Sequence, residues 1–243
     1  MTNDALTRRA GDGGWHAAVR DSRVVLLTVT AGAVNAVSFL VLGKVFVSVI
    51  TGNMVLLGVA ASTGNSAIAI HGGVALAGYA AGVLVSAPIA ARGGGGHPGT
   101  WPASVTATLA AELVVLVAFC AGWEAARGHP RGVGQGALLV VLAAAMGMQS
   151  SAVRRLGQMS STYLTSTLTG LLAGLATRTT PEGMGRSLGA LAAIVAGAVA
   201  GGFLATTSAY PWLPVVILLP PGLVVAGALI APGLEAPGPG RRS

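Results

Sequence analysis

Charge is what this chain most lacks. Only 9% of its 243 residues are Asp, Glu, Lys or Arg, where a soluble domain carries about 25%. Fourteen Lys and Arg with seven Asp and Glu are too few to cover the surface of a soluble fold this size, which excludes that class. Cysteine is nearly absent. The single Cys120 rules out an internal disulfide and a cysteine-based metal site, and within its apolar run it reads as a small core or lipid-facing residue. The four His residues lie far apart in sequence and suggest no metal cluster. There is no Walker-type phosphate loop, no dinucleotide-binding glycine pattern, no H-E-x-x-H and no G-x-S-x-G. No cofactor, no metal and no enzyme activity are therefore expected. The net charge of +7 is not a nucleic-acid signature either, because the Arg residues stand at segment ends, where the positive-inside rule puts them.

What is present is apolar. The chain is 53% hydrophobic with a mean hydropathy of +0.75. Its apolar runs approach the roughly 20 residues of a membrane helix and lack the alternation of barrel strands. Thirty-seven glycines suit helices that pack closely in lipid. The expected fold is all-α, a polytopic transmembrane helix bundle. Its segments fall at about residues 24–42, 45–61, 67–91, 102–122, 133–153, 159–176, 187–206 and 213–230. Residues 1–23, with Arg8, Arg9, Arg20 and Arg23, read as a basic, flexible cytosolic tail. The first apolar run has full membrane length, so it is expected to be a retained signal anchor and not a cleaved peptide. Residues 92–99 read as a Gly-rich linker, and residues 232–243 as a disordered Pro/Gly-rich tail.

One stretch occurs twice. Gly43-Lys44-Val45-Phe46-Val47-Ser48-Val49-Ile50-Thr51-Gly52-Asn53 is echoed by Gly157-Gln158-Met159-Ser160-Ser161-Thr162-Tyr163-Leu164-Thr165-Ser166-Thr167. Each begins with Gly and reaches a small polar triplet eight residues later. Upstream, with a one-residue gap, Gly32-Ala33-Val34-Asn35 matches Gly147-Met148-Gln149-Ser150. The chain thus reads as two homologous halves, residues 24–122 and 133–231, joined by a charged loop at 123–132. Each half runs long, short, long, long. Polar triplets at corresponding places in two apolar halves point to a midplane binding site in a membrane transporter.

Whether the short segments cross or re-enter is open by charge alone, since both topologies leave most of the 14 Lys and Arg inside. Hydroxyls decide the expectation. Ser160, Ser161, Thr162, Thr165, Ser166, Thr167 and Thr169 crowd one segment that needs protein or water around it. The reading is therefore about six full crossings plus two short or broken helices, with both termini cytosolic.

Two sets of residues are candidates for chemistry. Asn35, Thr51, Gly52, Asn53, Gln149, Thr165, Ser166 and Thr167 form the repeated polar set. Their amides and hydroxyls suit coordination of a polar solute or a monovalent cation; the plainer alternative is interhelical hydrogen bonding at about 1 kcal/mol or less each. Glu112 is the one acidic residue deep in an apolar segment. A charge at the bilayer centre costs a few kcal/mol or more, so such a group is a functional candidate by default, here for proton coupling. His71, Lys44 and the Arg154-Arg155 pair read as packing, snorkelling and topogenic residues. The functional expectation is secondary transport or channel-like permeation of a small polar solute or ion without ATP hydrolysis. The alternative is a membrane scaffold or partner subunit. The partners implied are the lipid bilayer and that solute, with no nucleic acid; homo-oligomerisation stays open.

At Gly32-x-x-Asn35-Ala36-x-Ser38, Gly43 and Thr51-Gly52-Asn53, the chain resembles the YoaK-like family of bacterial inner-membrane proteins. Ala145-Met146-Gly147-Met148-Gln149, Ala152-Val153-Arg154-Arg155-Leu156-Gly157, Thr165 and Leu168-Thr169-Gly170 extend the resemblance to roughly residues 22–230. It implies a polytopic membrane protein of about six helices with no established activity. Three positions depart from the family pattern. An acidic residue is usual where Asn35 stands, Asn where Ser150 stands and Gly where Ser166 stands. A proton- or cation-coupling role at the first of these would be missing here.

Overall fold

The computed structural model describes residues 3–92, 101–156, 164–179 and 183–230, with side chains from Ala18 onward. Among them lie eight α-helices and no strand. The helices are α1 (Asn3–Val37), α2 (Ile50–Thr63), α3 (Ser66–Ala91), α4 (Ala103–Ala125), α5 (Gly132–Arg155), α6 (Leu164–Ala176), α7 (Met184–Thr206) and α8 (Leu213–Ile230). A wider π-helical turn, Ser38–Gly43, ends α1, and a 3-10 turn, Tyr210–Trp212, precedes α8. Six stretches are long and apolar enough to span a bilayer: Ala18–Gly43, Ser66–Ala91, Ala103–Ala125, Gly132–Arg155, Met184–Thr206 and Tyr210–Ile230. α2 and α6, at 14 and 13 residues, are too short to span about 30 Å of hydrocarbon at 1.5 Å per residue. The fold is a multi-pass bundle of six spans and two short helices.

Two departures from the sequence reading are local. The basic segment expected to be a flexible tail is helical from Asn3, since no proline interrupts residues 3–37 and the backbone bonding of the first span can continue. The second segment, expected to begin at Val45, becomes helical only at Ile50; side chains hold the preceding backbone in another shape, as described below. The Gly-rich linker at 93–99, the first half of the second repeated stretch at 157–163 and the tail at 232–243 lie outside the described residues.

Helix orientation follows from the closest contacts. α1 packs along α7, and α3 along α5. A Cβ at Gly197 would overlap the carbonyl oxygen of Val29, and one at Gly82 that of Ala144, so glycine sets the approach of both pairs. Both pairs are parallel, because Val29 meets Gly197 and Ala33 meets Gly201, while Val140 meets Gly78 and Ala144 meets Gly82. Close approach through glycine is the usual way to gain dispersion energy where lipid removes the hydrophobic drive for helix association. α4 and α8 fill the middle, against α5 and α1 respectively and against each other.

The ends of the bundle differ in charge. Arg20, Arg23, Arg92, Arg154, Arg155 and Arg186 belong to helix ends that meet at one side, where Arg186 pairs with Asp21 at 3.0 Å and the Arg23 guanidinium lies 4.8 Å from the Trp101 ring centre. The opposite side carries Lys44, Glu124, Arg127 and Arg131. The chain enters and leaves the α2 segment from that second side: Gly43, before it, abuts the His71 ring of α3, and the Gly64-Asn65 turn after it leads straight into α3, with Asn65 Oδ1 accepting from the Ile68 amide at 3.2 Å. α6 joins the ends of α5 and α7 at the basic side. Neither short helix crosses.

Candidate functional site

Two amides shape the break between α1 and α2. Asn35 sits on the buried face of α1, two residues before its end at Val37. Its Oδ1 accepts from the backbone amides of Val47 and Ser48, each at 3.1 Å, and its Nδ2 donates to Ser48 Oγ at 2.6 Å. Asn53, fully buried in the first turn of α2, completes the clamp. Its Oδ1 accepts from the Phe46 amide at 2.8 Å and its Nδ2 donates to the Phe46 carbonyl at 2.5 Å. In a bilayer every backbone polar group needs an internal partner. The two side chains supply the partners that a helix would have supplied, so residues 44–49 run back into the bundle to the level of Asn35. α2 then returns along α3, where Leu57 lies against Gly72. Lys44 takes a left-handed conformation (φ 61°) at the top of the break, and Phe39 stacks on Phe46 with centroids 5.2 Å apart.

Glu112 is placed by helical spacing. In α4 the buried positions Val105, Thr108, Leu109, Glu112, Leu116, Phe119 and Trp123 recur every three or four residues, the stripe of one helix face. In α5 the stripe through Leu138, Leu142, Ala145, Gln149 and Ala152 faces it. The two stripes bring Gln149 Nε2 within 3.0 Å of Glu112 Oε1. Glu112 is 0% exposed and Gln149 7%. Glu112 Oε2 has no hydrogen-bond partner among the described residues. This is an unusual expense, since an unmade bond at a buried polar group costs about 1–3 kcal/mol.

The remaining repeated residues have other surroundings. Thr51 is exposed and Gly52 half-buried on the first turn of α2. A Cβ on Gly52 would reach the Phe46 ring at 3.4 Å, ordinary contact, and the helix runs unbroken through it. Thr165 and Ser166 are exposed and Thr167 half-buried on α6, where Thr169 Oγ1 bonds back to the Thr165 carbonyl at 2.9 Å. α2 packs chiefly on α3 and α6 chiefly on α7. The structure therefore brings Asn35 to Asn53 through residues 46–48, and Gln149 to Glu112, but does not bring the two triplets together. Ser48 was not singled out in the sequence. Its signal was faint, a lone hydroxyl between valines, 13 residues from Asn35 at no helical spacing. Among the described residues, no three of His, Cys, Asp and Glu lie close enough to hold a metal.

The comparisons with known proteins agree with this architecture. A family model described as "Protein of unknown function (DUF1275)" matches residues 24–230. The chain is 34% identical over 165 residues, 67% of its own length and 70% of the relative's, to the "UPF0700 transmembrane protein YoaK" of Bacillus subtilis (strain 168). No solved structure matches. The chain belongs to the DUF1275 family, the YoaK-like multi-pass transmembrane proteins.

Proposed function

We propose that the protein is a secondary transporter or permease for a small polar solute, coupled through protonation of Glu112. The observation that carries this reading is the Glu112 carboxyl, wholly buried in a spanning helix, with one oxygen on Gln149 and the other without a partner among the described residues. A group retained there solely for packing would be expected to have both oxygens satisfied. The interrupted helix lends support, because non-helical backbone at membrane depth is tolerated where it is buried in protein or lines a cavity, a recurring feature of solute-binding regions. The basic end of the bundle faces the cytosol of a bacterial inner membrane in this reading, which leaves both termini inside.

Asn35 and Asn53 favour a second reading. Both are engaged within the chain, with the backbone of residues 46–48 and the Ser48 hydroxyl, as in a scaffold whose polar residues are internal ties. The two readings separate in proteoliposomes holding a pH-sensitive dye and challenged with amino acids, sugars and small organic cations. Transport predicts proton movement driven by one class of solute and abolished by Glu112→Gln. Unchanged flux and pH dependence in Glu112→Gln would remove the coupling role. In a Cys120→Ser background, failure of both Thr51→Cys and Thr165→Cys to react with an impermeant thiol reagent from either side would favour the scaffold.

A further inference from the structure

The two glycine-sealed pairs are the same contact built twice. Gly32 abuts the Ile194 carbonyl and Ala198 amide; Gly147 abuts the Tyr79 carbonyl and Val83 amide. Equivalent residues in these contacts are 115 apart (147 less 32, 194 less 79, 198 less 83). The same interval carries Gly197 against Val29 onto Gly82 against Ala144. Where it meets no second glycine it meets a small buried residue: Gly201 maps to Ser86, and Gly78 to Ala193. α1 maps to α5, yet the two run oppositely, since Gln135 at the start of α5 bonds the Val41 carbonyl at the end of α1. The repeat is thus inverted.

Each parallel pair carries a third helix, giving one body of α1, α7 and α8 and another of α3, α4 and α5. Glu112 to Gln149 ties α4 into the second body, and Thr30 Oγ1 to the Ile217 carbonyl, at 3.2 Å, ties α8 into the first. Between the bodies, the end away from the basic side is latched by Gln135 Nε2 to Val41 O at 3.1 Å. Extended to Val41, the interval of 115 carries this latch to Arg20 and Leu156 at the basic end (135 less 115, 41 plus 115), one residue beyond the Arg155 that the interval of 114 between Gly43 and Gly157 gives. There the equivalent bond is not made. Arg20 lies against Asp21 instead, at 3.3 Å, while Asp21 also holds Arg186, so Asp21 keeps a partner if Arg20 leaves.

We infer that the two bodies rock about the α4–α8 seam, and that the Gln135–Val41 latch opens as its inverted counterpart, Arg20 to the Leu156 carbonyl, closes. Two repeats of opposite orientation have near-equal packing in either tilt, which is the physical basis of a two-state element. The use of this exchange for alternating access rests on the transport reading above; the exchange itself does not.

The test uses the full chain in proteoliposomes on the Cys120→Ser background. One variant carries Val41→Cys with Gln135→Cys, another Arg20→Cys with Leu156→Cys, and each is treated with a short bifunctional thiol reagent. Both pairs should cross-link. Adding Gln135→Ala to the second variant should raise its cross-linking rate about fivefold, the population shift from losing a hydrogen bond worth about 1 kcal/mol. A basic-end pair that never cross-links, or a rate indifferent to Gln135→Ala, overturns the proposal. Hydrogen exchange on single Gln135→Ala guards against damage by the cysteines. Faster exchange near Val41 with slower exchange near Leu156 supports the exchange of latches, and faster exchange at both ends refutes it. Solute-driven proton flux is read separately. Flux without latch exchange leaves transport standing and removes the rocking; latch exchange without flux does the reverse.

Discussion

Replacing Asn53 by Ala should cost more than its size suggests. The side chain is fully buried and makes two hydrogen bonds to one residue, Phe46. Each contributes about 1 kcal/mol net, but Ala would also leave the Phe46 amide and carbonyl without partners, at about 1–3 kcal/mol for each group that finds no water. The expected loss is about 2–5 kcal/mol, a large share of a typical stability of about 5–15 kcal/mol. Asn53→Asp should be no better, because it keeps the acceptor for the Phe46 amide and sets an oxygen against the Phe46 carbonyl. Thr51→Ala, two residues away and exposed, should stay within about 0.5 kcal/mol. Unfolding by sodium dodecyl sulfate in mixed micelles, followed by tryptophan fluorescence, reads all three. If Asn53→Ala unfolds with Thr51→Ala, the clamp does not hold the break and the account of residues 44–49 is wrong.

Gly82→Leu should prevent α3 from seating on α5, since any side chain there overlaps the Ala144 backbone; monodisperse protein in detergent should fall severalfold, while Gly58→Ala, with nothing within 4 Å, leaves it unchanged. Glu112→Ala should destabilise more than Glu112→Gln by about 1–3 kcal/mol, because only Ala strands the Gln149 amide; the same micelle titration decides it. Arg186→Ala should cost about 1 kcal/mol at most, less in high salt, because Arg186 is 39% exposed in its pair with Asp21; a larger, salt-independent loss would give the pair a deeper role.

The spans were legible because apolar length is a direct physical requirement of the bilayer. Glu112 was legible for the same reason, as a charge where none is cheap. Its partner Gln149 was named as a polar repeat residue, but not as that partner, because which stripe of α5 faces α4 depends on packing between helices. The break between α1 and α2 was half legible. Gly43-Lys44 marked a turn, yet the next five residues, 45–49, stay out of the helix, because Asn35 and Asn53 outcompete local backbone bonding across 7 to 13 residues. No periodicity encodes such a clamp. The matched triplets were legible as a pattern, while their separate settings, on α2 against α3 and on α6 against α7, follow from helix packing that no spacing encodes.

The pairing of α1 with α7 also sets a timetable for synthesis. Asp21 and its partner Arg186 are 165 residues apart, so at about 5–20 residues per second the first span waits on the order of ten seconds in the bilayer before its closest neighbour leaves the ribosome. During that wait Gly32 faces lipid or a holding factor instead of Ile194. A chain halted after α4 would contain four finished helices and neither of the glycine-sealed pairs. Quality-control proteases should therefore clear such fragments rapidly, and co-expression of the missing half should rescue them.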